Sequence, residues 1–188
     1  MLQTEFSFVP DPVLKSSIDE VFEHIARLLE VVDDKDYPAE AKSAFCKSII
    51  IHTGSIIEAL LYVLLDIRYS DDNIKQHYAT WQLKPFHKLH TLDNTHQIVA
   101  GEYKLIPGKQ GKTKLNLAQT CDFLKLKGDI TPDIHKKVTK VRTLRNEQHL
   151  ATQTRVRSCT RKDVKDVFKI AREVKEFVRG ELVSVWDV

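Results

Sequence analysis

An all-α helical bundle with a small β-hairpin insertion is the fold class predicted by this 188-residue sequence, on three observations. Residues 39–68 are apolar around nearly the whole circumference of a helix, which belongs at the centre of a bundle. Segments 12–32 and 160–182 repeat apolar residues at three- and four-residue steps, the period of a helix with one buried face. Residues 97–117 abandon that period for paired apolar runs around Pro107, Gly108 and Gly111, which reads as a hairpin. The length suits one domain with a sizeable core, so 1–188 is read as a single domain with the hairpin inserted around 97–117.

Asp11-Pro12 opens the first helix, because an Asp side chain caps free N–H groups and a proline at the first helical position has none to satisfy. Leu14, Ile18, Val21, Phe22, Ile25, Leu28, Leu29 and Val32 form its stripe, and Asp33 to Asp36 make a short connection. Pro38 opens a second helix over Ala39 to Arg68. Gly54 within it costs about 1 kcal/mol of helix propensity against Ala, a loss that close contact with another helix offsets. Glu58 interrupts the apolar run, and a carboxylate there requires a cationic partner, for which Arg142 and Arg145 are candidates, or a place at the solvent rim. A membrane span over Ile49 to Ile67 is disfavoured by the same carboxylate, which costs roughly 2.5–3.5 kcal/mol at a bilayer centre.

A short helix is expected over Asp72 to Trp81. His87, His90, Asp93 and His96 then recur every third residue, a spacing that zinc would accept on a helix, but Thr91, Asp93, Asn94 and Thr95 read as loop and favour solvated histidines. In the expected hairpin, Lys109, Lys112 and Lys114 occupy a basic tip. They could reach a phosphate backbone, or keep a strand edge soluble without any ligand. Asn116 and Gln119 form a capping-box pair and Gly128 a stop, giving a helix over Leu117 to Lys127. Thr131-Pro132-Asp133 opens the next helix with Ile134, Val138, Val141 and Leu144 facing the core. After a connection over Thr152 to Cys159, Thr160 and Asp163 start the last helix, whose buried face carries Val164, Val167, Phe168, Ala171, Val174, Val178 and Leu182.

The formal net charge of +3 conceals a division. Residues 1–80 hold 7 Lys+Arg against 14 Asp+Glu, whereas residues 81–188 hold 22 against 12, so an anionic partner for the second part competes with a merely solvated basic surface. Cys46, Cys121 and Cys159 are too scattered for a disulfide framework or a thiolate metal site, and the N-terminus lacks the basic and apolar regions of a secretory signal. A reducing, cytoplasmic setting is expected, with no cofactor and no metal.

The stretch that suggests chemistry is Val141 to Thr152, V-R-T-L-R-N-E-Q-H-L-A-T. At 3.6 residues per turn, positions 138, 142, 145 and 149 lie along one face, so two guanidiniums and an imidazole converge beside the core stripe, a face suited to a phosphodiester. The segment resembles the terminal motif of the HEPN (higher eukaryotes and prokaryotes nucleotide-binding) superfamily, in an R-N-x-x-H variant. The family's ribonucleases carry an Arg separated from a His by four to six intervening residues, often with Asn following an Arg. Arg142 and His149 have six residues between them and fit the spacing, while Arg145-Asn146 matches the Arg-Asn pair with three residues before His149. The helical arrangement is also similar to HEPN domains, apart from the hairpin.

That resemblance implies a metal-independent endoribonuclease or RNA-binding toxin or defence component. His149 would take the ribose 2′-hydroxyl proton, staying largely uncharged at neutral pH beside two guanidiniums. Arg142 and Arg145 would bind the phosphate and stabilise the growing charge, and Asn146 would orient the imidazole or hold a phosphate oxygen. Glu58 would support the arginines, and Arg155, Arg157, Lys109, Lys112 and Lys114 would contact RNA. A homodimer with two motifs meeting across its axis is implied too, together with an antitoxin or other protein partner. Some relatives carry, two residues after the histidine, a tyrosine that is modified by a partner enzyme; here the position is Ala151, and that control does not carry over. The alternative is a non-catalytic HEPN-like dimerisation and protein-interaction module, in which Arg145 and Asn146 make structural bonds and His149 favours the helix end electrostatically when protonated.

Overall fold

The computed structural model describes residues 5–91, 97–147 and 158–186, with backbone alone for 84–91, 97–100 and 184–186. The described chain is mostly helical, with one two-stranded antiparallel sheet. Its elements are α1 (Pro12–Asp33), α2 (Ala39–Arg68), α3 (Asp71–His77), β1 (Thr80–Thr91), β2 (Gln97–Ile106), α4 (Leu117–Lys127), α5 (Pro132–Asn146) and α6 (Arg161–Trp186). They fall into two compact units, residues 1–67 with 116–188, and residues 68–115.

The first unit is a helical bundle whose core gathers around α2. Asp11 Oδ1 accepts from Val13 N and Leu14 N at 2.8 and 3.2 Å to start α1, which buries Ile18, Ile25 and Val32 at seven-residue steps. In α2, Ile49, Ile50, Ile57, Leu60, Leu61, Leu64 and Leu65 are almost wholly removed from water, as its all-round apolar character predicts. This helix is long and apolar enough to cross a membrane by length and composition, and 61% of its most apolar window is buried within the protein. An edge-to-face pair of His24 and His52, with ring centroids 5.0 Å apart, joins α1 to α2. Asn116 and Gln119 cap α4 reciprocally at 3.0 and 3.1 Å, and Gly128 closes it with φ 81°, a conformation that a side chain would strain. Thr131 Oγ1 accepts from Ile134 N at the start of α5, and Thr160 and Asp163 form a reciprocal cap on α6.

Helix α5 is tied to three others by side chains. His135 meets Asp122 of α4 at 2.7 Å, Lys137 meets Glu173 of α6 at 2.7 Å, Lys140 meets Asp166 of α6 at 3.4 Å, and Arg145 meets Glu58 of α2 at 2.8 Å. Its expected stripe of Ile134, Val138, Val141 and Leu144 is buried. On α6, Val164, Val167, Val174, Val178 and Leu182 are buried as expected, and Ile170 joins them; Phe168 and Ala171 are only half-buried.

The second unit corrects two expectations. The short helix spans Asp71–His77, and Trp81, expected at its end, lies in β1. The hairpin is not built from 97–117: its strands are Thr80–Thr91 and Gln97–Ile106, and residues 107–115 leave the sheet as a strap ending in a single 3-10 turn at Lys112–Lys114. Lys109, Lys112 and Lys114 therefore occupy this strap and not a hairpin tip. Gly108 N donates to Lys75 O at 2.8 Å, and Lys112 N donates to Asp71 Oδ1 at 2.9 Å, so the strap lies against α3. A Cβ at Gly108 would stand 2.6 Å from Tyr78 Cβ, which explains the glycine by close approach and not by a reversing turn. Pro85 concealed β1, since proline interrupts most ladders; a two-stranded sheet has only edge strands, where a missing N–H is tolerated.

Candidate functional site

The site begins with the step of α5 against α2. A Cβ on Gly54 would lie 3.1 Å from Arg145 Cδ and 3.8 Å from Val141 Cγ1, so the missing side chain at 54 opens a trough for the stem of Arg145. One helical turn further along α2, Glu58 Oε2 accepts from Arg145 Nη1 at 2.8 Å. Gly54 and Glu58 thus act together: the first admits the arginine, and the second holds its end. The two side chains are 25% and 34% exposed, so the pair is neither sealed from water nor freely solvated. The carboxylate that stood out on an apolar helix is explained by this pairing, with Arg145 as the partner among the two candidate arginines.

Arg142, one turn back on α5, is half-buried, and no carboxylate among the described residues forms an ion pair with it. Its charge is felt by the Cys121 thiol of α4. Burial pushes that thiol up to about 12, Asp122 adds to the rise, and Arg142 opposes it. The two arginines share a flank of α5 yet engage different neighbours, Arg145 toward α2 and Arg142 within electrostatic reach of α4. Asn146 is exposed at the last residue of α5. The backbone N–H of Glu147 closes the helix on Thr143 O and Arg145 O.

His149, Arg155 and Arg157 lie outside the described residues, as do Asp93 and His96. His87 and His90 lie in β1, so their three-residue spacing is not helical; among the described residues no group of three metal-binding side chains is assembled. Lys109 and Lys114 are exposed and Lys112 is half-buried, all three in the second compact unit.

A cleft of about 680 Å³ lies between α5 and α6, lined by Lys140, Thr143, Leu144, Ser158, Thr160, Lys162, Asp163 and Asp166. At 100° per residue, Lys140, Thr143 and Leu144 project from the side of α5 roughly opposite Arg142 and Arg145, so the cleft and the arginines are separate features of one helix. The sequence carried its signal in the three- and four-residue spacing of these positions, but five of its eight lining residues come from α6 and the residues just before it, which only tertiary packing brings to α5. No family model, curated protein or solved structure matches this chain.

Proposed function

We propose that the chain is a HEPN-like, metal-independent endoribonuclease or RNA-binding toxin or defence component of the cytoplasm, with RNA as its substrate. The observation that supports this most directly is the placement of Arg142 and Arg145 on one flank of α5, with Arg145 held by Glu58 just ahead of the segment bearing His149. A guanidinium fixed by one carboxylate keeps further N–H groups for a phosphate, since it has five donors and the 2.8 Å contact uses one of them. Pre-orientation of this kind lets a cation meet charge that grows on phosphate oxygens without rearranging during the reaction.

In the resulting scheme His149 accepts the 2′-hydroxyl proton, the freed oxygen attacks the adjacent phosphorus, and the bond to the 5′-oxygen breaks, leaving a 2′,3′-cyclic phosphate and a 5′-hydroxyl whose proton comes from water. Arg142 and Arg145 stabilise the phosphorane charge, Asn146 holds the imidazole or a phosphate oxygen, and Glu58 positions Arg145. Two motifs meet across a homodimer axis, and an antitoxin or another protein governs the activity. The test is cleavage of RNA and of DNA of the same sequence in excess EDTA by wild type, His149→Ala and Arg142→Ala. Cleavage of RNA alone, lost in both variants, is expected; a folded wild-type protein that cuts no RNA overturns the enzyme.

The competing role, a non-catalytic interaction module, is favoured by the same ion pair. Glu58 neutralises Arg145, and a neutralised guanidinium is sufficient to fix α5 on α2 without any ligand. In that case the Arg142 and His149 variants change partner binding and no RNA is cut.

A further inference from the structure

We infer that the apolar face of the β1–β2 hairpin is a self-association surface that binds a second copy of this chain. The register pairs Trp81 with Leu105 and Leu83 with Tyr103, which puts these four side chains on one face of the sheet. Strict alternation of this sort marks a strand with one buried face, yet here the apolar face is open: the four are 67%, 52%, 45% and 69% exposed, in that order. The opposite face carries Gln82, Lys104 and Glu102. An isolated two-stranded hairpin is at best marginally stable in water, and large clustered apolar residues on a surface mark an interaction site.

The chemistry of the face selects its occupant. Of the charged strand residues whose side chains are described, Glu102 and Lys104 both belong to the other side. Nucleic acid would find aromatic rings here but, among the described side chains of the sheet, no cation beside them to take its phosphates. Two apposed copies bring no like charges together among those described side chains.

The arrangement is also self-complementary. Trp81 and Tyr103 occupy one diagonal of the four positions and Leu83 and Leu105 the other. A two-fold axis lying between two such faces, along or across the strands, sets each aromatic ring of one copy against a leucine of the second, so large side chains meet small ones. The exposed parts of the four side chains amount to roughly 250–450 Å² per copy. Apposition of two copies therefore buries roughly 500–900 Å² at its apolar centre, and a surrounding rim brings the total to the ~1,000 Å² that separates a specific pair from a packing contact. A dimer in the micromolar range is expected. It is independent of the ribonuclease proposal and of any pairing across the arginine motif.

Sedimentation of the full chain from about 1 to about 200 µM tests this, a range centred on micromolar association. Wild type is expected to dimerise, with the affinity reduced at least about tenfold, or 1.4 kcal/mol, by Trp81→Glu and by Tyr103→Glu and unchanged by Gln82→Glu on the opposite face. Cross-linking gives a second measurement that tolerates a weakened hairpin: because Cys46, Cys121 and Cys159 are buried, Leu83→Cys is expected to yield dimer with a bifunctional thiol reagent that spans the ~10 Å between facing sheets, and Gln82→Cys is not. A wild type that stays monomeric, a dimer indifferent to both face substitutions, equal cross-linking at positions 82 and 83, or a monomer whose Trp81 fluorescence responds to oligonucleotide instead, overturns the inference.

Discussion

Replacing Glu58 by Gln removes the charge from the carboxylate that holds Arg145 while preserving its size. The consequence can be sized from the geometry. Fully exposed ion pairs contribute about 0.2–1 kcal/mol, and breaking a buried one costs about 3–5 kcal/mol. A pair at 2.8 Å with side chains 25% and 34% exposed lies between these limits, and about 1–2 kcal/mol is expected. At roughly 2–4 °C per kcal/mol for a chain of this length, the melting temperature should fall by about 2–8 °C.

The sharper prediction couples this pair to Gly54. A methyl group at 54 would stand 3.1 Å from Arg145 Cδ, so the arginine stem must move by a few tenths of an ångström. While Glu58 holds the guanidinium, that movement loosens the ion pair and offsets the ~1 kcal/mol of helix propensity that alanine adds. In a Glu58→Gln background the stem is free to move, and Gly54→Ala should stabilise by about 0.5–1 kcal/mol. Urea unfolding of the four proteins of the cycle, followed by circular dichroism, gives the coupling. If Gly54→Ala has the same effect in both backgrounds, within the ~0.3–0.5 kcal/mol expected of independent sites, the trough-and-anchor account is refuted.

Other expectations follow from burial and local conformation. His52, packed against His24, is held below its ordinary 6.5 by burial first and by the second imidazole next. Its folded pKa is the lower one, so the stability it contributes is complete above about 6.5 and is lost as pH falls through the folded value. Melting temperature should drop on acidification below that point, and His52→Gln should flatten the profile; parallel profiles would count against it. All three cysteines are buried, and Cys121 is pushed up to about 12, so a thiol reagent at mildly alkaline pH should label none of them quickly in the native protein and all three in denaturant. Gly128→Ala should cost about 1–2 kcal/mol because φ is 81° at the end of α4, and an unchanged urea midpoint would argue against that cap.

The helices were legible in the sequence because their signals are local. Asp11-Pro12, the Asn116 and Gln119 box, and Thr131-Pro132 each specify a helix start within four residues, and the starts of α1, α4 and α5 lie where those residues put them. The hairpin was misplaced because its signal is not local. Pro107-Gly108 looks like a turn, but Gly108 is there to let the strap approach Tyr78, and the true partner of β2 lies upstream behind Pro85. The exposed apolar face was hidden for the same reason: Trp81 and Leu83 alternate with polar residues, but only pairing with Tyr103 and Leu105 makes four residues into a surface. For the site, sequence could place Arg142 and Arg145 on one helix flank but could not say which one Glu58 would hold, since the choice depends on the trough at Gly54, 91 residues from Arg145 along the chain.

That trough separates two arginines that look equivalent in the motif. Arg145 is bound to the bundle through Glu58, so its removal leaves a half-buried carboxylate without its partner and should cost about 1–2 kcal/mol. Arg142 has no ion-pair partner among the described residues, and its loss should cost less, within about 0.5 kcal/mol if its stem contributes little packing. If both guanidiniums serve a phosphate, Arg142→Gln should lower RNA cleavage with the melting temperature nearly intact, whereas Arg145→Gln should lower both, and Glu58→Gln should reproduce part of the second pattern by releasing Arg145 from its orientation. Equal losses of melting temperature in Arg142→Gln and Arg145→Gln would refute the division. So would unaltered cleavage in Glu58→Gln beside strongly reduced cleavage in Arg145→Gln, because a carboxylate that positions a guanidinium cannot be removed without consequence for the work that guanidinium does.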